Sequence, residues 1–510
     1  MSNAASDSGD DIAALARGGR TNFFGFLLRL AARLPFLLIA GRIYGAEALG
    51  RFAYAILIVE FSAQLATLGL KRGLAQQLTT TDKPHVCVVW DAMLVAFLAS
   101  AVATTLLALF PQAMFPNSPV RGFEWLLPLI VFAIAGSDVA LAALAYRRNI
   151  RATVTARAII EPWTISIAAF ALSYLSSRDG LILAYVLSMV AALSASLWPL
   201  FKTYGIPHGW RPEPGVLWAL ARRNTPLAAA DAIEWGSRRI DIAILGLFFS
   251  PAVVGVYYVA QQVASLAQKL KTSFDPILGP VITQKLAEGD KKAVAAQVRQ
   301  VGFWIIAAQM GVALALGIPG EAVMGLVGAA FIGGTGALAF LLGAEAVAAT
   351  AAVSESALVY VARHRNLMIS TFMVVVQASL SVAFILGMRS LHLPTTYQAA
   401  GPAMALMLSL GMASILKARL LCRILDAPVQ GWRWSLIWAA GAALAVGQLV
   451  VLLPRRFEFL ELIVGIPAIL TAFGIVLWKF GFTHEDRILF RRKKGEQPTL
   501  PPPPGALPPA

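Results

Sequence analysis

Hydrophobic residues come in long unbroken runs, separated by short polar or Gly/Pro-rich breaks. Apolar stretches fall at about 21–44, 47–70, 87–111, 123–146, 153–176, 181–202, 224–248, 252–284, 296–318, 334–361, 367–388, 397–421, 434–453 and 458–480. Each approaches the roughly 20 apolar residues a helix needs to cross a bilayer, so the pattern predicts an all-α polytopic membrane protein with about 14 transmembrane helices. The principal break is YGIPHGWRPEPG from Tyr204 to Gly215, and the VLWALARRN after it reads as an interfacial segment. The expected layout is a mobile N-terminus (1–20), a six-helix lobe (21–203) and a cytoplasmic linker (204–223). A second six-helix lobe (224–424), two added helices (432–480) and a basic, Pro-rich cytoplasmic tail (481–510) complete it.

Shifting the chain by about 205 positions brings a second pattern into register. Arg33 falls on Arg238, Gly50 on Gly255, Phe52 on Tyr257, Ala55 on Ala260 and Leu65 on Leu270. Two related, pseudo-symmetric halves follow, and transporters built from repeats place their substrate near the midplane between them.

Composition agrees: of 510 residues, 58% are hydrophobic and 14% charged. The formal net charge of +15 would suggest nucleic acid in a soluble chain. Here it reflects the Lys and Arg that gather in cytoplasmic loops, so no nucleic-acid partner is expected. With both termini inside, about 30 of the Lys and Arg fall in cytoplasmic segments and about 7 outside. The inner loops include KRGLAQQLTTTDK, YRRNIR and KARLLCR. Cys87 and Cys422 form no disulfide framework, and the five histidines have no metal-ligand spacing, so neither metal nor cofactor is expected. The polar start and the length of the first apolar run argue against a cleavable signal peptide. The run from Phe482 reads as a lipid-facing basic cluster followed by an extended proline segment.

Charges inside the spans carry the candidate chemistry. Arg29 and Arg33 lie four apart on one face of the first span. A charge near the midplane costs at least ~2.5 kcal/mol, so Arg33 is expected to face a polar interior. In the seventh span Asp231, Glu234, Arg238 and Asp241 are spaced three, four and three, which predicts one polar stripe on a continuous helix. Arg239 lies about 100° around and needs its own partner. Two readings stay open: internal neutralisation by Glu234 and Asp241, or a functional cationic cavity. Glu60, Asp138 and Glu161, the last four residues after Arg157, are coupling or counter-charge candidates; Asp91 reads as interfacial, and Glu345 and Glu355 lie in the tenth span. Pro35, Pro162, Pro226, Pro276 and Pro280 fall within spans and are expected to kink them.

The segment GRIYGAEALGRFAYAILIVEFSAQLATLGLKRGLAQQL resembles the start of polysaccharide-biosynthesis flippases, with Gly45, Gly50 and Leu68-Gly69-Leu70 where that family has them. LFFSPAVVGVYYVAQQVASLAQKL resembles the second-half counterpart, and the two added spans resemble the 14-span members, such as lipid II flippases. The resemblance implies the multidrug/oligosaccharidyl-lipid/polysaccharide exporter fold, with two six-helix lobes facing each other around a central cavity. It also implies a transporter, not an enzyme, in the bacterial cytoplasmic membrane. The implied substrate is a polyprenyl-diphosphate-linked oligosaccharide, and membrane lipids and other polysaccharide-synthesis membrane proteins are the implied partner classes. Arg29, Arg33 and Arg238, with Arg239, Glu234 and Asp231 beside them, are the residues expected at the headgroup. The alternatives are a drug or cation antiporter of the same superfamily and a non-transporting scaffold.

Overall fold

The structure is a computed structural model that describes residues 34–116, 119–147, 149–272, 290–452, 458–483 and 486. Expectations for Arg29, Arg33, the N-terminus, Pro276, Pro280 and the basic and proline-rich tail lie outside these residues. Among the described residues the chain is helical throughout, with no strand.

The first half contains α1 (Gly45–Ala66), α2 (Leu70–Thr80), α3 (His85–Leu109), α4 (Ile130–Tyr146), α5 (Glu161–Ser173) and α6 (Gly180–Tyr204). The second contains α7 (Pro214–Ser237), α8 (Ile240–Phe248), α9 (Pro251–Thr272), α10 (Lys291–Gly317), α11 (Gly320–Val327), α12 (Thr335–Ala349), α13 (Ala352–Val361), α14 (Arg363–Ser390) and α15 (Thr395–Leu425). α16 (Ser435–Val451) and α17 (Ile466–Val476) follow. Nine stretches of the described residues are long and apolar enough to span a membrane. One of the nine, Leu34–Thr80, holds the described end of the first predicted span together with the second, and the fifth, seventh, eighth and thirteenth are not among the nine. The thirteenth is a shorter apolar helix, and the other three are interrupted by turns or enriched in polar residues that face the interior.

Several predicted loops are helical. VLWALARRN belongs to α7 and continues into the seventh span, so it is not a separate interfacial segment. KARLLCR is the last part of α15. Pro162, and Pro467, which has the same setting, sit at a change of helix type. Each follows a π-helical turn, Thr155–Ile160 and Glu461–Gly465. A proline has no N–H for the carbonyl four residues back, and a wider turn re-accommodates that carbonyl. Pro226 sits within α7 without interrupting it.

Helix α6 packs on both α4 and α5, α15 packs on both α12 and α14, and α1 meets α9 across the two sets. At that meeting the 205-residue register becomes physical. A Cβ on Gly50 would stand 1.7 Å from the Pro251 carbonyl oxygen, and one on Gly255 would stand 2.0 Å from the Ala46 carbonyl oxygen. Ala46 and Pro251 are themselves 205 apart, so the contact is reciprocal, as a local two-fold relation requires. Phe52 and Tyr257 are both buried, as are Ala55 and Ala260. Gly69, with φ +70°, turns the chain from α1 into α2 where any side chain would meet the α7 backbone at 2.7 Å.

Apolar side chains fill this α1–α9 seam, with Phe52, Leu245, Tyr257 and Leu338 in one cluster. Phe97, Ile167, Phe372 and Trp438 point outward, as a lipid solvent permits. After the last span Asp486 is fully buried and accepts from Arg433 Nη1 at 2.6 Å, Trp304 Nε1 at 2.8 Å and Thr483 N at 2.9 Å.

Candidate functional site: a charged vestibule between the halves

Away from the glycine seam the halves separate around three adjoining chambers of about 600, 240 and 150 Å³. Arg239 lines all three, and Glu60 and Glu161 line two of them.

The first-half wall is a compact ion network. Arg157 sits in the π-helical turn before Pro162, between α4 and α5. It donates to Asp138 of α4, to Glu161 at 2.9 Å and to Ser137 Oγ at 2.8 Å. Lys71 Nζ approaches the other Asp138 oxygen at 3.7 Å. The carboxylates Asp138 and Glu161 thus act as counter-charges for Arg157 and Lys71. Glu60 accepts from Tyr185 Oη at 3.1 Å.

The second-half wall is built on a broken helix. Instead of one continuous stripe, the chain turns at Arg238 and Arg239 between α7 and α8. Gly236 weakens the helix just there, since glycine costs about 1 kcal/mol in a helix interior. The turn also lets the two guanidinium groups reach different helices. Arg238 approaches Glu345 of α12 at 4.0 Å and donates to the Gln268 side-chain oxygen of α9, with 40% of its side chain exposed. Arg239 approaches Glu60 of α1 at 3.7 Å, is 41% exposed, and stacks on Trp235 with 4.5 Å to the ring centre. Lys417 of α15 closes this wall through Glu355 of α13 at 2.7 Å.

The other seventh-span acids leave the lumen. Asp231 pairs with Arg72 Nε at 2.9 Å. Asp241 is fully buried and accepts from Tyr257 Oη at 2.7 Å and from Gln261 Nε2 at 3.2 Å. Among the described side chains of this span, neutralisation runs to other helices, because the break removes the register that would have stacked Arg238 over Asp241. The Glu234 side chain lies outside those described. Asp91, near the start of α3, is buried and accepts from Trp210 Nε1 at 2.9 Å.

Among the described lining residues, Lys71, Arg157, Arg238, Arg239 and Lys417 balance Glu60, Asp138, Glu161, Glu345 and Glu355. The described lining therefore holds no cationic excess, and Arg29 and Arg33 lie outside the described residues. Sequence reading missed Lys71 and Lys417, which had been placed in loops. It also missed the polar face of α9, where Gln261, Ser265 and Gln268 recur at helical spacing. That spacing was the available signal, but uncharged side chains do not stand out in a hydropathy profile. Among the described residues no cluster of three or more His, Cys, Asp or Glu side chains is arranged to hold a metal ion.

The fold is similar to that of solved transporters of the multidrug/oligosaccharidyl-lipid/polysaccharide exporter (MOP) superfamily. The chain is similar to lipid II flippase MurJ in an inward closed conformation, with TM-score 0.70, 12% identity, 92% of this chain and 99% of that one covered. It is similar to a multidrug resistance MATE family transporter in an inward-facing conformation, with TM-score 0.63, 15% identity and 79% and 94% coverage. It also resembles a MOP superfamily transporter from Pyrococcus furiosus, with TM-score 0.55, 13% identity and 81% and 95% coverage. No curated protein matches in sequence. The family model described as "Polysaccharide biosynthesis protein" matches residues 39–318, more than half of the 510. The chain belongs to that family, as its glycine and Leu-Gly-Leu motifs indicated.

Proposed function

We propose that this protein is a flippase that moves a polyprenyl-diphosphate-linked oligosaccharide from the inner to the outer leaflet of the bacterial cytoplasmic membrane. The observation that carries this reading is the helix break at Arg238–Arg239, which presents two partly exposed guanidinium groups to the vestibule, with their carboxylate partners at 4.0 and 3.7 Å. A planar guanidinium fork suits a phosphate oxygen pair, and arginines this far from their carboxylates can turn toward a ligand. Family membership supports a role in polysaccharide assembly.

With both termini cytoplasmic, the Gly50–Gly255 seam lies on the outer side and the vestibule opens inward. Transport then requires the two six-helix lobes to part at this seam while closing below Arg239, which is alternating access around a fixed site. Arg29 and Arg33 would add the positive charge that the described lining lacks. Glu60 would hold Arg239 between substrates. A cation antiporter is less well supported, because the vestibule acids face arginine or lysine partners.

The test follows labelled lipid-linked oligosaccharide in cells lacking the protein. Cytoplasm-facing lipid accumulates and the intact chain clears it. The Arg238→Ala/Arg239→Ala chain, and equally Arg33→Ala/Arg238→Ala, clears it at least about tenfold more slowly, the cost of roughly 1.4 kcal/mol of lost binding. Full clearance by both variants would remove arginine from the mechanism. Failure of the intact chain would remove the flippase reading.

A further inference from the structure

The chamber on the second-half side is lined differently from the rest. Besides its paired charges it carries Gln261, Gln262 and Ser265 of α9, Gln377 of α14 and Ser409 of α15. Gln377 is only 3% exposed, lines this chamber, and its Nε2 has no hydrogen-bond partner among the described residues. Buried amides are almost always satisfied, so an unpaired one facing a cavity calls for a partner that occupies it. Gln262 faces the same chamber and also the adjoining smaller one.

We propose that this wall is a neutral subsite that recognises sugar hydroxyl and acetamido groups, separate from the arginines that meet the diphosphate. The inference rests on the flippase reading above and adds where the glycan sits. A side-chain amide offers donors and acceptors together, which is the pattern of a sugar ring. A phosphate is acceptor-only at its oxygens and gains nothing from an amide carbonyl. Lys417, which lines this chamber from α15, is held by Glu355 at 2.7 Å, closer than Arg238 or Arg239 stands to its carboxylate. A further anion is not specifically favoured there. A site built to hydrogen-bond a hydroxyl also rejects a ligand without it, because its buried polar groups are then left unpaired.

Two probes separate the subsite from the flippase reading: a short-chain polyprenyl diphosphate carrying a disaccharide, and the same polyprenyl diphosphate without sugar. Both are titrated onto the purified full-length protein in lipid nanodiscs. Gln377→Met, which keeps the side-chain volume, is expected to weaken the sugar-bearing probe about five- to tenfold and the bare diphosphate less than twofold. Gln262→Leu, at a half-buried position that does not depend on core packing, is expected to shift the same probe in the same direction. Equal weakening of both probes, or no weakening of the sugar-bearing one by either variant, overturns the subsite and leaves the flippase reading standing. An intact protein that binds neither probe overturns both.

Discussion

The two walls of the vestibule use similar residue types for different purposes. In the first half, Arg157 sits between two carboxylates at hydrogen-bond distance and is 26% exposed. In the second half, Arg238 and Arg239 stand 4.0 and 3.7 Å from their carboxylates and are 40% and 41% exposed. The difference lies in the backbone beneath them. Arg157 projects from a helix made continuous by a π-helical turn, and two of its partners come from one packed neighbour, α4. Arg238 and Arg239 project from a break, and their partners come from two different helices. A closely hydrogen-bonded charge group serves as structure. A loosely held one remains available to a ligand.

The largest effect expected from this contrast is on stability. Arg157→Ala strands Asp138 and Glu161 away from bulk water, and breaking such a group costs about 3 kcal/mol, near the low end for buried pairs because the network borders a wet chamber. Arg238→Ala should cost under ~1 kcal/mol, the range of exposed pairs, while impairing transport. Thermal unfolding in detergent would check both. Equal losses in the two variants would erase the distinction between the walls.

The seam comes next. Gly50→Ala puts a methyl group into the Pro251 carbonyl. Overpacking of this kind costs about 1–3 kcal/mol, relieved if the halves move apart. A cysteine at Ala46 should then label faster with a membrane-impermeant thiol reagent. Unchanged labelling with unchanged stability would mean that the seam is not closely packed.

Asp486 provides a control outside the membrane-spanning segments. Burial works to raise its carboxyl, but hydrogen bonds from Arg433, the Thr483 backbone and hydroxyl, and Trp304 outweigh burial and hold it below the ordinary carboxylate range. A depressed folded value means that its contribution to stability is fully present above about pH 4, the unfolded value. The contribution is lost as pH falls through the folded value. Asp486→Asn should flatten the acid side of a melting-temperature profile and leave transport at neutral pH unchanged. A profile identical to that of the intact chain would show that the Arg433 contact contributes little.

The smallest effect is expected at Glu60→Gln, which removes the charge facing Arg239. A partly exposed pair at 3.7 Å contributes about 0.2–1 kcal/mol, so melting should shift by a degree or two. Binding of a polyprenyl diphosphate should tighten two- to threefold, because Arg239 loses its competitor. Weaker binding would make Glu60 part of the substrate site and not a placeholder.

The composition of the solvent was legible in the chain. Runs of apolar residues are read additively along one segment, so helix positions followed from the letters, as did the interior placement of Glu60, Asp138, Glu161 and Arg238. The duplicated register was legible too, because close helix approach can be met by glycine and little else, and Gly50 and Gly255 stand where that approach occurs. Which charge meets which was not legible. Regular spacing predicted that Arg238 would lie over Asp241 on one helix, whereas the turn at Arg238–Arg239 sends the guanidinium groups to Glu345 and Glu60 and leaves Asp241 to Tyr257 and Gln261. Ion pairing inside a membrane is decided by which helices pack side by side and where one of them breaks. Those are properties of the assembled bundle, to which no single segment holds the answer.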